Sequence, residues 1–168
     1  MKAIWAGEPA AENAGPIGPL PSRSGGPELL IGGRSDAALR RSGRIGDGYI
    51  SGSAGQGASN DARQVESYFH VVRSAWDELG RPGKPRLVTA LTCGLGAYAA
   101  ERTRESIRSY YGFRGDAAKM EVPMPTTVRE LRDAIQAYEN IGADELVLEP
   151  GYYGMDQIER LGDAVAGI

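Results

Sequence analysis

The chain has 168 residues, which is enough for a single domain with a sizeable core. Its net charge of −3, without a dense basic cluster, argues against a nucleic-acid partner. No apolar run approaches the roughly 20 residues of a membrane span, and no secretory signal is recognisable. The single cysteine, Cys93, excludes an internal disulfide and fits a reducing, cytoplasmic location, and no cysteine–histidine set is available to hold zinc.

The first regular elements surround a pair of glycines. An apolar stretch at 29–31 lacks polar alternation, which predicts a strand covered on both faces, as in a parallel sheet. Gly32 and Gly33 allow a sharp turn, and Ser35 is a good N-cap for a helix over Asp36–Arg44. A glycine turn that opens into a helix N-terminus is typical of an anion site, although the glycine pair alone is equally compatible with a plain connection.

The rest of the chain repeats this strand–helix alternation. The predicted strands are 29–31, 48–51, 86–93 and 145–148, and the further helices are 61–79, 99–111, 128–141 and 155–165. Thr127 and Glu130 stand in capping-box spacing. A loop-rich lead over residues 1–27 thus precedes four β/α units over residues 28–168. Such alternation predicts a parallel α/β sheet, and because a full eight-fold barrel takes about 250 residues, four units correspond to half of one.

Side chains that could carry chemistry are scattered along the chain. The only histidine, His70, lies off the apolar stripe of its helix, which predicts a surface position. Cys93 ends a buried strand and is expected in the core. Glu149 ends the last strand, where barrel enzymes carry functional groups, although it could equally pair with an arginine. Trp76 and the Tyr110–Tyr111 pair are expected to pack in the core. No catalytic acid, base or nucleophile constellation emerges.

Three stretches of the chain carry a recognisable pattern. Residues 27–41 read PELLIGGRSDAALRR, and residues 44–50 read RIGDGYI. Residues 141–148 read IGADELVL. Together these stretches resemble the luciferase-like flavin-dependent oxidoreductases of the bacterial luciferase superfamily, in which a tryptophan usually stands at the place of Tyr49. The resemblance covers nearly the whole chain but only the C-terminal half of the family.

The resemblance implies the C-terminal half of a TIM (β/α)8 barrel. Its reaction would be monooxygenation of a small organic substrate with reduced FMN and dioxygen, or hydride transfer with the deazaflavin coenzyme F420. It would place the cofactor phosphate on Gly32, Gly33, Arg34 and Ser35, whereas Ala38 stands where some members have a threonine. Because the family's catalytic side chains lie mostly on earlier strands, it implies no catalytic residue in this chain.

Two interpretations of function stay open at this point. One is an oxidoreductase that is incomplete as an isolated half-barrel. The other is a non-catalytic half-barrel that binds a ligand or partner, or the remnant of a disrupted gene. A half-barrel has two unpaired sheet edges, which predicts a homo-oligomer or a companion half-barrel chain. Asp36 argues against the phosphate site unless its carboxylate points away from the helix N-terminus.

Overall fold

The computed structural model describes residues 1–52, 61–114 and 124–168. In these ranges the strands are β1 (Leu30–Gly32), β2 (Gly48–Ser51), β3 (Arg86–Cys93) and β4 (Glu145–Pro150). The helices are α1 (Lys2–Trp5), α2 (Asp36–Ile45), α3 (Ala62–Asp77), α4 (Ala99–Tyr111), α5 (Val128–Asn140) and α6 (Met155–Val165), and a 3-10 turn, Gly112–Arg114, follows α4. The predicted elements are all present, but several bounds differ. β1 is displaced by one residue and β4 is longer by two; α2 is longer by one residue, α3 is shorter by three and α5 is shorter by one.

The four strands form one parallel sheet in the order β1-β2-β3-β4. Side-by-side residues of parallel strands share a face, so Tyr49 of β2 and Leu87 of β3 point to one side of the sheet. Their neighbours Ile50 and Val88 point to the other side. The α/β fold with sequential parallel strands, predicted from the alternation of elements, is therefore confirmed.

The hydrophobic core lies between the sheet and the helices on one face. The strands contribute Tyr49, Leu87, Leu91 and Cys93 to this core. The helix residues in the same cluster are Leu39, Val65, Tyr68, Phe69, Val72, Leu131, Tyr138, Leu161 and Ala164. The members from α3 recur every three or four positions, which is the spacing of one helix face.

Three residue placements expected from the sequence are confirmed. Cys93 is fully buried, and this burial, with the nearby charge of Glu149, raises the pKa of its thiol to about 12. The indole of Trp76 is 6% exposed and donates its N–H to the carbonyl of Arg81 over 3.1 Å. His70 is exposed on α3.

The opposite face of the sheet is covered unevenly. On β3, Val88 and Ala90 are only 2% and 4% exposed. On β4, Val147 is 37% exposed, and its neighbours on the same face, Glu145 and Glu149, are exposed as well. This face would be the interior of a complete barrel, so the open part of that interior lies along β4.

Two aspartates tie neighbouring strands together at the N-terminal end of the sheet. Asp47 precedes β2, donates its N–H to the Leu29 carbonyl over 2.8 Å and accepts the Leu29 N–H on Oδ2 over 2.9 Å. Asp144 precedes β4 and makes the same two bonds with Leu87, over 2.8 Å and 2.9 Å. We call these two arrangements the aspartate clamps. Each one satisfies a backbone N–H and a backbone C=O at the start of a strand.

A lysine completes each clamp. Lys2 and Lys84 donate from Nζ to Oδ1 of Asp47 and Asp144, both over 2.6 Å. Burial opposes ionisation of the two carboxyl groups. The hydrogen bonds from the lysines and the backbone outweigh it, so the pKa of each carboxyl lies below its ordinary value.

The lead, predicted as a loop, folds back onto the body of the domain. It contains the short helix α1, whose Lys2 joins the first clamp. The ring of Trp5 lies so close to Gly26 that a Cβ there would come within 2.3 Å of it. Gly26 also has a φ of +82°, so only glycine fits this contact. The division of the chain at residue 27 stays a prediction.

Candidate anion site

The turn between β1 and α2 is shaped by its glycines. Gly32 is the last residue of β1 and pairs with Ile50, so the turn begins one residue later than predicted. Gly33 has a φ of +141°, and a Cβ on it would lie 2.5 Å from Cβ of Ala38. Position 33 is therefore restricted to glycine by both its backbone and its neighbour. The turn from Gly32 to Ser35 is exposed.

Ser35 caps α2 at its first turn. Its Oγ accepts the N–H of Ala38 over 3.3 Å, and its carbonyl accepts the N–H groups of Ala38 and Leu39 over 2.9 and 3.0 Å. The hydroxyl acts here as an acceptor, so its own proton can still be donated. Helix geometry gives the N–H groups of Asp36 and Ala37 no carbonyl partner within the helix, and they point toward the turn. The helix N-terminus therefore offers donors to an anion.

The carboxylate of Asp36 does not compete for this position. It accepts a hydrogen bond from Nε of Arg40, one helical turn further on, over 2.9 Å. Arg40 in turn contacts Glu78 over 3.2 Å. The negative charge of Asp36 is thus directed along α2 and paired. The Asp36 carboxylate therefore points away from the helix N-terminus, as an anion site at this helix end requires.

Tyr49 supports the turn from inside. Its hydroxyl donates to the carbonyl of Gly33 over 2.9 Å, and the residue is fully buried. The rings of Tyr68 and Phe69 meet its ring edge-on, with centroid distances of 6.4 and 6.2 Å. Burial raises the pKa of the Tyr49 hydroxyl, which keeps the proton for this bond. Sequence reasoning noted only that Tyr49 replaces a tryptophan and did not anticipate the contact.

The residues of the turn fit a phosphate group. The structure brings all four predicted residues into one exposed segment beside the helix N-terminus. Gly33 keeps the backbone accessible, Ser35 has a hydroxyl, and Arg34 is exposed and near enough for its charge to act on Tyr49. Ala38 contributes no donor, because its side chain is a methyl group and its N–H is already bonded to Ser35. Backbone N–H groups, a hydroxyl and a guanidinium are the donors that phosphate sites use.

A cleft of about 870 Å³ lies beside the C-terminal ends of β3 and β4. One wall is a stripe of α4 that includes Arg102, Glu105 and Tyr110, and the other is formed by Glu149 at the end of β4 and by Tyr153 in the segment that follows. Tyr110 is 69% exposed, so the expectation that it packs in the core is wrong. Its helix buries a different stripe, and α4 contributes no member to the core cluster of the described residues.

The buried stripe of α4 rests on the loops that follow β3 and β4. Thr103 lies so close to Gly151 that a Cβ there would come within 2.3 Å of the threonine side chain. The guanidinium of Arg102 stacks over the ring of Tyr152 at 4.1 Å. Gln157 joins the same two loops, because its amide bonds to the N–H and the carbonyl of Leu95, over 3.0 and 2.8 Å, and donates to the hydroxyl of Tyr152. The walls of the cleft are thus held by packing.

Two further features are absent from the described ranges. No group of three or more histidine, cysteine or acidic side chains is placed there to hold a metal ion. No helix in the same ranges combines the length and the apolar character that crossing a membrane requires.

The chain was compared with known proteins. No family model matches it, and no curated protein does. Solved structures do match. The monooxygenase RslO1 from Streptomyces bottropensis is 18% identical over 98% of this chain and 56% of that chain, with a TM-score of 0.66. The coenzyme F420-dependent tetrahydromethanopterin reductase from Methanopyrus kandleri is 12% identical over 99% of this chain and 58% of that chain, with a TM-score of 0.63.

A third match is riboflavin lyase RcaE with modified FMN and riboflavin, at 17% identity over 92% of this chain and 45% of that chain, with a TM-score of 0.63. The chain shares the fold of the luciferase-like oxidoreductases. The resemblance seen in the sequence is thereby confirmed for the fold. The chain spans about half the length of the structures that it matches.

Proposed function

We propose that the chain is part of a luciferase-like flavin-dependent oxidoreductase and binds the cofactor phosphate at the turn Gly32-Gly33-Arg34-Ser35. One observation carries this proposal: an exposed glycine turn joins the C-terminal end of β1 to the N-terminus of α2. Active sites of β/α barrels lie at the C-terminal ends of the strands. A phosphate at this turn would therefore hold a cofactor at the functional end of the fold.

The residues of this chain would bind and orient the cofactor. The first-turn N–H groups of α2 and the Ser35 hydroxyl would donate to phosphate oxygens, and the Arg34 guanidinium would add a charge-assisted bond. The flavin, when bound, supplies the redox chemistry itself. We assign no catalytic side chain to the described residues. The cleft between α4 and the segment after β4 lies at the same end of the sheet and would receive the organic substrate.

We propose FMN as the cofactor, with reduced flavin and dioxygen as the oxidising system. Coenzyme F420 with hydride transfer is the alternative. Two of the matched structures, named for F420 and for FMN, support a cofactor of the flavin type. Because both molecules carry a phosphate, the turn fits either of them, and a titration decides between them.

A partner would complete the barrel interior. The exposed residues Glu145, Val147 and Glu149 lie along β4 on the interior face of the sheet. We propose that a companion half-barrel chain or a second copy covers this face. A mass above that of the monomer in light scattering, or a complex recovered with a companion half, would support this assembly. A stable monomer at high concentration would contradict it.

The experiment that tests the cofactor proposal is a calorimetric titration of the protein with FMN and with F420. Arg34→Ala should weaken binding about ten- to a hundred-fold, because it removes a charge-assisted contact to phosphate. Arg44→Ala removes the same charge from the exposed last turn of the same helix and should leave the affinity unchanged. If neither cofactor binds, also with a companion half supplied, the non-catalytic interpretation holds instead.

A further inference from the structure

We infer that Tyr49 is a positioning residue for the anion site. Its hydroxyl holds the peptide unit between Gly33 and Arg34 with the carbonyl toward the core. The N–H of the same unit then faces the exposed side of the turn. This inference rests on the proposed phosphate site and adds to it a residue that does not touch the ligand.

The orientation follows from peptide geometry. The Gly33–Arg34 bond is trans, so its C=O and N–H point in opposite directions. The carbonyl is directed at the buried Tyr49 hydroxyl, 2.9 Å away. The Arg34 N–H is therefore directed away from the core, toward the side where the helix N-terminus presents its own donors.

Without this bond the peptide unit loses the contact that holds its carbonyl toward the core. Glycine accepts a wide range of backbone angles, so the unit after Gly33 can rotate at low cost. A rotated unit would direct its carbonyl oxygen outward, where it would repel an anion. The Tyr49 bond removes this alternative before the ligand arrives, which is preorganisation of a binding site.

Tyr49 is itself rigidly held. Its ring is fully buried and meets Tyr68 and Phe69 edge-on. A buried hydroxyl needs hydrogen-bond partners, and that of Tyr49 has two: it donates to the Gly33 carbonyl, and the Ser51 side chain is hydrogen-bonded to it. The hydroxyl therefore ties an exposed turn to a rigid side chain of the core.

The test compares Tyr49→Phe with Tyr138→Phe. Both substitutions remove one buried phenol oxygen and keep the ring, but the Tyr138 hydroxyl has no hydrogen-bond partner among the described residues. Inorganic phosphate and FMN are titrated at a temperature at which both variants are folded by circular dichroism. Tyr49→Phe should weaken binding of both ligands about five-fold, and Tyr138→Phe should not.

A second measurement needs no ligand. In 15N-labelled protein, Tyr49→Phe should move the amide resonance of Arg34, and Tyr138→Phe should leave it in place. If the wild type binds and Tyr49→Phe binds equally well, the inference fails while the phosphate site stands. If the wild type binds neither ligand, the proposed function fails. An unchanged Arg34 resonance in Tyr49→Phe would overturn the inference in either case.

Discussion

The two ends of the sheet differ in how their backbone N–H groups are paired. At the N-terminal end, the carboxylates of Asp47 and Asp144 accept N–H groups of the neighbouring strands. At the C-terminal end, the turn after β1 presents helix N–H groups at the surface, and Ser35 caps only part of them. One end is thus closed by internal partners, and the other keeps donors for a ligand. Stability and binding should therefore respond to different substitutions.

The largest effect is expected at Gly48, in the closed end. A Cβ there would lie 2.1 Å from the carbonyl oxygen of Arg86 and 2.8 Å from Cδ2 of Leu30. Because the first contact is with backbone of the paired strand, Gly48→Ala should cost about 3 kcal/mol of unfolding free energy. Urea denaturation measures this loss. Gly112→Ala, where a Cβ meets nothing within 4 Å, is the matched control, and an equal loss there would contradict the prediction.

Each aspartate clamp should contribute somewhat less. Asp144→Ala leaves the Leu87 N–H without its acceptor, and Asp47→Ala does the same for Leu29. We expect a loss of about 2 kcal/mol for each, and additive losses in the double variant, since the clamps share no partner. Affinity for FMN should not change. Asp133→Ala, on the exposed side of α5, is the control, and a change there as large as at the clamps would undermine the assignment.

Ser35→Ala should act on both properties at the open end. It removes the cap of α2, at a cost of about 1 kcal/mol of stability, and it removes one hydroxyl from the proposed phosphate site. Ser35→Gly keeps most of the capping energy but also lacks the hydroxyl. Equal losses of FMN affinity in the two variants, with a smaller loss of stability for glycine, would separate capping from binding. If the loss of FMN affinity is smaller for Ser35→Gly than for Ser35→Ala, in proportion to the loss of stability, the role of the hydroxyl is contradicted.

Acidification should lower the free energy of unfolding, by less than the removal of a clamp does. The pKa of Asp47 and that of Asp144 are lowered in the folded chain. Their ionisation therefore stabilises the fold fully above the unfolded value, about 3.9, and this contribution is lost as the pH falls through the folded values. Urea midpoints measured from pH 6 down to pH 3 should fall more steeply for the wild type than for the double clamp variant. Parallel curves would contradict this coupling.

The elements that local patterns specify could be predicted from the sequence. The capping box of Thr127 and Glu130 forms as its spacing indicates, and Ser35 caps α2. The turn residues of the proposed site were found because glycines and a cap are adjacent in the chain. The support of that turn by Tyr49 was not found, because the two groups are 16 residues apart and only the fold brings them together.

The placement of α4 shows the same limit. The amphipathic pattern gave the correct bounds of the helix, Ala99–Tyr111. It could not show that the buried stripe rests on the loops after β3 and β4, where Gly151 makes room for Thr103. Tyr110 was therefore assigned to a core that this helix does not enter. The contact depends on a glycine 48 positions further along the chain than the threonine, which no periodicity reveals.

The two aspartate clamps are alike in chemistry but differ in the length of chain that each must close. The clamp of Asp47 joins residues 18 positions apart, and that of Asp144 joins residues 57 apart. Loop-closure entropy alone makes the longer connection costlier by about 1 kcal/mol. The consequence concerns the order of folding: β1 and β2 are expected to associate first, and the strand that borders the open interior joins the sheet last.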